Sequence, residues 1–533
     1  MKTSLKIIFA VCLLAFCAGA QSATNVVPSV TTGESHPFNV REFGAKGDGI
    51  TLDTASVNRA IIACNGAGGG IVRFPEGIYN VGTIELLSKV TLFLDAGSVI
   101  KGSSDVHDYP PFPHTTEDRN TALIVAFDAH DIAITGQGTI DGNGAAFAIY
   151  NQPHLWRDLE PALTRQGQHY LEISSLPDDG PVAFKPRPGI LILLLNCQGI
   201  QITGIKIFDA PNWCLHVACS QDVVLSHLEI KSSLLLPNSD GIDASLCSNV
   251  RISDCNIEAG DDAIAFSPCA DGFGPGKCEN VVVENCTLLS RSAAIRIGWG
   301  AHNFKNLSFN NIIIRDSNRG IGIFVRDGET IENVVFSNFV IETRLYKGNW
   351  WGKGEPILLS AVRGEWSKGL MGQIKNIAFT NMTIKGQQGI VVAGCKDSSI
   401  ENVRFDKISF KLINGPLLTS FGGNFDFRPA HDDHLKVFKH DIPALYAGDV
   451  KELTISRVDI DREASLPDFF RYGLEVENFE GLTIDAFRDQ QFQPHDLKTA
   501  VPICLRNGRK VAISNCAAVR EDSRFVYAAG VEP

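Results

Sequence analysis

Three aspartates in the middle of the chain could act together on a substrate. Asp240 lies in Asn238-Ser-Asp-Gly-Ile-Asp243, and Asp261 and Asp262 are adjacent in Gly260-Asp-Asp-Ala-Ile-Ala265. Because neighbouring carboxylates repel each other, one of them can stay protonated while the others stay ionised. Such a group can protonate a leaving oxygen and activate a water molecule, which is the chemistry of glycosidic bond hydrolysis.

The same aspartates have two other interpretations. Asp-Gly and Gly-Asp-Asp are common turn sequences, so the three acids could serve only to turn the chain. Together with Asp243 they also offer enough oxygen ligands for calcium. We predict neither a metal nor another cofactor at the site, and the spacing of the cysteines does not resemble a zinc site.

The elements that would position these acids are short strands repeated along the chain. Each repeat reads Asn, apolar, any, apolar, any, Asn or a substitute, and then an apolar residue three positions further on. Good copies begin at Asn249, Asn280, Asn306, Asn333 and Asn376, and the first four start 26 to 31 residues apart. This period is typical of a solenoid, and the alternation of apolar and polar residues within each copy indicates strands.

The repeats predict an all-β fold, a right-handed parallel β-helix over residues 37–533. Each strand of such a fold pairs with its equivalent about 4.8 Å along the axis. The repeated asparagines can then hydrogen-bond from coil to coil in left-handed backbone conformations. Cys197, Cys286 and Cys516 each follow such an asparagine or its equivalent, so we expect unpaired thiols there. Cys269 and Cys278 flank a turn-rich segment and could form a disulfide.

The ends and the irregular spacings predict a lid and several inserted loops. Residues 54–64 have apolar residues at helical spacing, with Asp53 as the candidate N-cap, and are expected to cover the N-terminal coil. The long spacings at 333–376 and 402–452, and a third insertion at 145–188, predict loops beside a binding face.

The N-terminus and the overall charge indicate where the protein works and on what. Residues 1–20 have the basic, apolar and small-residue order of a signal peptide, followed by an extension over residues 21–36, so we expect a secreted or periplasmic protein. No other apolar stretch approaches the roughly 20 residues that span a bilayer. The net charge of −12 disfavours binding to nucleic acid. The expected partner is a polysaccharide or oligosaccharide, and nothing in the sequence indicates an oligomeric state.

From about Phe38 to at least Cys395 the chain resembles glycoside hydrolase family 28, the polygalacturonase family. The Asn-x-Asp and Gly-Asp-Asp motifs around the three aspartates are the most specific part of this resemblance. The opening segments that match are Phe43-Gly-Ala-Lys-Gly-Asp-Gly49, Gly68-Gly-Gly-Ile-Val-Arg-Phe-Pro75 and Gly77-Ile-Tyr79.

The resemblance implies an inverting mechanism with assigned roles. Asp261 would be the general acid, and Asp240 and Asp262 would jointly position and deprotonate water. In an inverting enzyme the acid and the base are typically about 6.5 to 9.5 Å apart.

Two motifs of the family are missing. In Ser292-Ala-Ala-Ile-Arg-Ile-Gly298, Ala293 stands where the family carries the histidine of Gly-His-Gly. In Gly320-Ile-Gly-Ile-Phe-Val-Arg326, Gly322 and Phe324 stand where the family carries the two cations of Arg-Ile-Lys, which grip the carboxylate of the substrate.

Strand parity suggests which residues replace these cations. Phe324, Arg326 and Arg296 should face outward, so the two arginines could bind an anionic sugar or brace an aspartate, unless they are ordinary surface residues. Trp350 and Trp351 could stack on a sugar ring or be buried. The predicted substrate-binding residues are Asp243, Arg296, Phe324, Arg326, Trp350 and Trp351, with Trp299 and His302 as further candidates.

The sequence thus favours an inverting glycoside hydrolase that acts on a pectin-like or other acidic polysaccharide or oligosaccharide, in exo or endo mode. One alternative is a β-helix polysaccharide lyase, which would use calcium and a basic residue and release an unsaturated product. The other is a noncatalytic carbohydrate-binding β-helix, which is favoured if the three aspartates do not converge.

Overall fold

The computed structural model describes residues 37–113, 120–155, 163–167, 179–267, 277–300, 302–490, 501–518 and 525–532. Residues 37–533 form one compact unit. The predicted signal peptide and N-terminal extension lie outside the described residues. Within the described ranges, no helix combines the length and the apolar character needed to cross a membrane.

Short strands joined by turns make up most of the described chain. The strands are Phe38–Asn39, Asp48–Leu52, Gly70–Phe74, Gly77–Val81, Ile84–Glu85, Val90–Leu94, Ser98–Gly102, Ala122–Phe127, His130–Gly136, Thr139–Asp141, Ala148–Pro153, Val182–Phe184, Ile190–Leu195, Gln198–Thr203, Lys206–Phe208, Trp213–Ala218, Gln221–Ser226, Glu229–Lys231, Ile242–Ser245, Ser248–Ser253, Asn256–Ala259, Ile264–Ser267, Lys277–Glu284, Thr287–Ser290, Ala293–Gly298, Asn303–Ser317, Arg319–Val325, Thr330–Thr343, Ile357–Ala361, Gln373–Gly386, Ile390–Ala393, Ile400–Leu412, Asn424–Asp426, Val437–Lys439, Leu445–Arg462, Leu474–Asp489, Ile503–Ser514, Ala517–Ala518 and Val526–Glu532. The α-helices are Thr54–Gly66, Leu418–Phe421 and Asp433–Lys436, and the 3-10 helices are Val40–Phe43, Val106–Asp108 and Gly144–Ala146.

The strands stack in parallel, each on its equivalent one coil away. Val250 pairs with Val281, Val281 with Leu307, Leu307 with Val334 and Val334 with Ile377. Each of these residues is buried, because the inward positions of successive coils lie above one another. The right-handed parallel β-helix predicted from the repeats is confirmed.

Aromatic residues continue the same stacking inside the helix. The rings of Phe309 and Phe336 lie 4.7 Å apart, those of Phe336 and Phe379 4.9 Å, and those of Phe379 and Phe405 5.0 Å. The planes are tilted by no more than 11°. These spacings follow the separation between strands, so the phenylalanines fix the register of one coil on the next.

The repeated asparagines form the predicted ladder on an outer turn. The side-chain amide of Asn280 donates to Asn249 at 3.4 Å, that of Asn306 to Asn280 at 3.3 Å, and that of Asn333 to Asn306 at 3.2 Å. Asn376 continues the series. Their φ angles lie between 56° and 60°, a left-handed conformation that asparagine tolerates better than most residues.

The three cysteines that follow the asparagine positions are free thiols, as predicted. Cys197 and Cys286 are buried and Cys516 is half-buried. Each Sγ lies 3.2 to 3.4 Å from the carbonyl oxygen two residues earlier. At this distance the S–H group can donate a weak hydrogen bond to that oxygen. Cys269 of the expected disulfide lies outside the described residues, so that pairing stays a prediction.

The predicted lid is the helix Thr54–Gly66, which packs on the first coil. Asp53 is its N-cap residue by position, but its side chain makes no capping hydrogen bond. The carboxylate instead accepts from the backbone amides of Lys46, at 2.7 Å, and Gly47, at 2.9 Å. Two donors of the preceding loop therefore occupy the oxygens that capping would need. The buried residues of the helix are Val57, Ala60, Ile61 and Cys64.

The inserted segments lie against the outer face of the β-helix. Outward-facing Phe324 packs in a separate buried cluster with Phe425 and Phe427 of the segment between Leu412 and Leu445. The indole nitrogen of Trp350, in the insertion before Ile357, donates to the carbonyl oxygen of Asp179 at 2.7 Å. Outward strand positions in this part of the molecule are consequently covered by protein.

Candidate active site

The three aspartates lie in equivalent turns of two consecutive coils. Asp240 precedes a strand of one coil, and Asp261 and Asp262 precede the paired strand of the next. The backbone amide of Gly241 donates to the carbonyl oxygen of Asp262 at 2.8 Å, which ties the two turns together. A Cβ atom on Gly241 would lie 2.4 Å from the carbonyl oxygen of Ala263, so this close approach requires glycine.

The carboxylates converge on one cavity of about 310 Å³. One oxygen each from Asp240, Asp261 and Asp262 lies within 4.8 Å of the other two. This convergence was predicted, but these oxygens lie closer than the roughly 6.5 to 9.5 Å expected of an inverting pair. The residues that line the cavity are Trp213, Asn238, Asp240, Asp261, Asp262, Ser267, Ser292, Ala293, Arg296, Trp299, Arg319, Phe324 and Trp351.

Asp261 has the electrostatic environment of a general acid. It is 6% exposed. Burial and the neighbouring charge of Asp262 raise its pKa to about 7, although Arg296 and the backbone amide of Asn238, which donates to it at 3.2 Å, act in the opposite direction. A carboxyl group with such a pKa carries a proton in mildly acidic solution and can release it to a leaving oxygen.

Asp240 is also held against ionisation. Burial, followed by the charges of Asp243, Asp261 and Asp262, raises its pKa well above the usual value. Its Oδ1 atom has no hydrogen-bond partner among the described residues. Because Asp240 and Asp261 influence each other, their protons belong to the pair rather than to either residue alone.

Asp262 differs from the other two because a cation contacts it directly. Nε of Arg296 donates to its Oδ2, and the backbone amide of Ala293 donates to its Oδ1 at 3.0 Å. The side chain of Arg296 is 12% exposed. Burial lowers the pKa of Arg296, but Asp262 and the other aspartates outweigh this effect and raise it. Arg296 therefore braces Asp262, one of the two roles that the sequence suggested for it.

Arg326, which was predicted to bind substrate, does not line the cavity. Its side chain is fully buried and donates to the carbonyl oxygens of Ser360 at 2.9 Å and Phe427 at 3.0 Å. Burial lowers its pKa to about 9. Strand parity correctly gave the outward direction, but an inserted segment covers this position.

Asp243 and Trp350 also lie away from the cavity. Asp243 is completely buried behind Asp240, on the strand that follows the turn. Trp350 is 2% exposed, with its indole nitrogen bound to the protein backbone. Neither side chain is among those that line the cavity, and their roles as substrate-binding residues stay predictions.

Three aromatic residues form a wall of the cavity. Phe324 and Trp351 were predicted to bind substrate, and Trp299 was a further candidate. The ring of Trp299 lies 5.8 Å from that of Phe324 and 5.3 Å from that of Trp351. Such a surface can pack against the apolar face of a sugar ring. His302 does not line the cavity.

No motif in the sequence indicated Arg319, which lines the cavity beside this wall. Nη2 donates to the carbonyl oxygen of Asp426 at 3.2 Å, and Nε lies 3.4 Å from a carboxylate oxygen of Glu355. The alternation of side chains along the strand would predict that Arg319 faces inward, like Ile321 and Ile323. It is, however, the first residue of its strand, where the chain leaves a turn and the alternation does not yet apply.

A buried ion pair positions Trp351. Arg428 donates to both carboxylate oxygens of Asp426, at 2.8 and 2.6 Å. The same arginine donates to the carbonyl oxygen of Trp350 at 2.6 Å, and Asp426 accepts from the amide of Gly352 at 2.7 Å. The backbone on both sides of Trp351 is thus fixed by two residues from another insertion.

Comparison with known families places the three aspartates inside a recognised region. Residues 81–344 match the family described as glycosyl hydrolases family 28. Residues 37–113 match a family described as rhamnogalacturonase A/epimerase, pectate lyase-like.

Individual proteins show the same likeness. A probable polygalacturonase of Vitis vinifera is 28% identical over 250 residues, which cover 44% of this chain and 45% of that protein. An exo-poly-alpha-D-galacturonosidase of Dickeya chrysanthemi is 27% identical over 46% of this chain and 44% of its own length. The chain thus spans about half the length of the curated relatives it matches. The exopolygalacturonase of Thermotoga maritima, a solved structure, superposes with a TM-score of 0.55 and 21% identity over 80% of this chain and 92% of that chain. It shares the fold.

Proposed function

We propose that this chain, of which residues 81–344 match glycosyl hydrolases family 28, hydrolyses glycosidic bonds in a pectin-like or other acidic polysaccharide or oligosaccharide. The observation that carries this proposal is the convergence of Asp240, Asp261 and Asp262 on one cavity, with a pKa of about 7 at Asp261. Turn-forming aspartates without a common task would not need to be buried together, because the repulsion between them costs stability.

The proposed reaction uses each carboxylate differently. Asp261 donates its proton to the glycosidic oxygen as the bond to the anomeric carbon breaks. Asp240 and Asp262 jointly position a water molecule, and Asp262, whose charge Arg296 offsets, accepts a proton from this water as its oxygen bonds to that carbon. Attack from the side opposite to the leaving group inverts the anomeric configuration. This part of the proposal rests on the resemblance to family 28, since the carboxylate oxygens lie within 4.8 Å of one another, closer than is typical of an inverting pair. Exchange with solvent then removes the proton gained by the base and restores the proton of Asp261.

Several features support an acidic sugar as substrate and attack near a chain end. In the aromatic wall, half-buried Trp299 and Trp351 offer packing for a sugar ring, whereas Phe324 is fully buried; arginine side chains line the same cavity. A volume of about 310 Å³ is at the small end of ligand sites, which range over roughly 300 to 1,000 Å³. Relatives named as exo-acting galacturonosidases agree with this substrate class.

We further propose that the protein is exported and that residues 37–533 are its catalytic domain. The order of basic, apolar and small residues over 1–20 supports removal of that segment at a membrane. Mass determination of the N-terminus after expression in a secreting host would test this. A mature protein that retains residues 1–20 would contradict it.

The test of the proposed function is incubation with defined oligosaccharides, with the product anomers followed by proton NMR. Hydrolysis with inversion is expected for acidic oligosaccharides. A retained anomer would refute the mechanism, and a product absorbing in the ultraviolet that disappears with chelator would indicate the lyase alternative. Binding without turnover would indicate a noncatalytic protein.

A matched pair of variants tests whether hydrolysis takes place in the cavity. Asp261→Asn nearly preserves shape but cannot donate the proton, so hydrolysis of natural substrates should be abolished. Asp254→Asn, on an exposed turn of the same region, should have no effect. Equal activity of both variants would overturn the role of Asp261.

A further inference from the structure

Arg319 has the surroundings of a ligand-binding residue. Its side chain is 3% exposed and lines the cavity that contains Asp261. Its Nε atom has no hydrogen-bond partner among the described residues. Glu355 neutralises part of its charge across 3.4 Å without accepting that hydrogen bond. A buried guanidinium with an unused donor is costly unless a ligand completes its contacts.

The other arginines near the cavity are hydrogen-bonded to protein groups or buried away from it. Among the described residues that line it, the cations are Arg296 and Arg319. Arg296 donates to Asp262 and to the carbonyl oxygen of Gly298. Arg326 is buried outside the cavity. Arg319 lies 3.4 Å from a carboxylate oxygen of Glu355 and 3.9 Å from one of Asp426, but of these two cations it is the one that retains an unpaired N–H donor.

The glycine at position 322 explains how Arg319 reaches the cavity. A Cβ atom at Gly322 would lie 3.2 Å from Cδ of Arg319 and 2.6 Å from Cε2 of Phe324. The stem of Arg319 therefore passes over the position from which the resemblance to family 28 would project a cation. Its guanidinium carbon lies 5.2 Å from the ring centre of Phe324, within the range of a cation–π contact.

We propose that Arg319 binds the carboxylate of the acidic sugar, and that glycine at position 322 makes room for it to do so. The planar guanidinium can donate two parallel hydrogen bonds to a carboxylate. The missing side chain at 322 and the path of Arg319 over that position are then two parts of one rearrangement. This inference rests on the proposed substrate class and assigns the residue that recognises it.

Binding in an inactive background tests the inference apart from catalysis. In Asp261→Asn protein, a galacturonate oligosaccharide and its methyl ester would be titrated by calorimetry. Adding Arg319→Ala should weaken binding of the acid by about tenfold to a hundredfold and leave the ester nearly unchanged. Arg315→Ala is the control, because Arg315 lies outside the cavity and pairs with Glu258.

A second variant tests the role of the glycine. Gly322→Ala should reduce the preference for acid over ester, because the new methyl group displaces the stem of Arg319 or the ring of Phe324. Combined with Arg319→Ala it should cause no further loss of that preference. Melting temperatures and circular dichroism would confirm that each variant is folded.

The outcomes separate this inference from the proposed function. If the native chain hydrolyses acidic oligosaccharides but folded Arg319→Ala retains the acid-to-ester ratio, the inference is wrong and the proposed function stands. If the native chain turns over none of the panel, the proposed function fails, and a binding preference that depends on Arg319 would still support the inference.

Discussion

Replacing Asp261 with asparagine should stabilise the protein, and the gain should depend on pH. The pKa of Asp261 rises from 3.8 to about 7 on folding, first because of burial and then because of Asp262. The folded state thus binds this proton more tightly than the unfolded state. Stability contributed by the proton is complete below about pH 4 and is lost as pH rises to about 7. An asparagine side chain is never charged, so the Asp261→Asn variant does not lose this stability.

The expected change in stability follows from the shift in the pKa of Asp261. About three pH units at roughly 1.4 kcal/mol each correspond to about 4 kcal/mol between pH 4 and pH 7. The compact unit has roughly 500 residues, so its unfolding entropy is about 1 kcal/mol per degree at about 2.1 cal/mol/K per residue. The melting temperature of Asp261→Asn relative to the native protein should therefore increase by about 4 °C over this range.

The assay is calorimetry or dye-monitored melting at a fixed scan rate, at half-unit steps from pH 4 to pH 8. Asp254→Asn is the control. Asp254 is exposed, and the residue one coil away, Asn285, donates to it at 3.2 Å. The melting temperature of Asp254→Asn should change with pH in the same way as that of the native protein. If the difference between Asp261→Asn and the native protein is constant over the whole range, then Asp261 does not titrate near neutrality and the assignment of the acid is wrong.

Three further predictions concern the site and its support. Activity (kcat/KM) should fall as pH rises through about 7, because Asp261 must be protonated; a profile that is flat to pH 9 would contradict this. Asp426→Asn should lower kcat/KM as Trp351→Ala does, and the double variant should lose little more, because the ion pair acts through that tryptophan; additive losses would show an independent effect. Arg326→Met should destabilise the protein by about 1 to 3 kcal/mol in chemical denaturation, because it leaves the buried carbonyl oxygens of Ser360 and Phe427 unpaired, but leave the preference for acidic substrate unchanged. A changed preference would restore a direct role for Arg326.

The coil architecture could be predicted because each coil repeats the same local information. The asparagines at 249, 280, 306 and 333 mark one turn of successive coils, and the apolar residues between them alternate with the period of a strand. The aspartate cluster was predictable for a related reason. Asp240 and Asp262 occupy similar places in consecutive repeats, and parallel stacking brings similar places together.

The walls of the cavity could not be predicted in the same way. Trp351, Asp426 and Arg428 belong to insertions that carry no repeat, and their positions depend on contacts between segments distant in sequence. Parity assigned a direction to Arg326 but could not show that Phe427 would cover it. Arg319 lies at the beginning of a strand, where a count of alternating positions has no fixed origin.

The stacking of coils also fixes the spacing of the proposed catalytic aspartates along the solenoid axis. Asp240 and the pair Asp261 and Asp262 are held one strand spacing apart by backbone hydrogen bonds, such as that from Gly241 to Asp262. Adding or deleting residues in a surface loop changes what surrounds the substrate but leaves this step unchanged, because the ladder is continuous beneath the loops. The loops that surround the substrate can therefore change without a change in the spacing of the carboxylates. New loops can reshape the cavity, while the backbone keeps the carboxylates at the same distance.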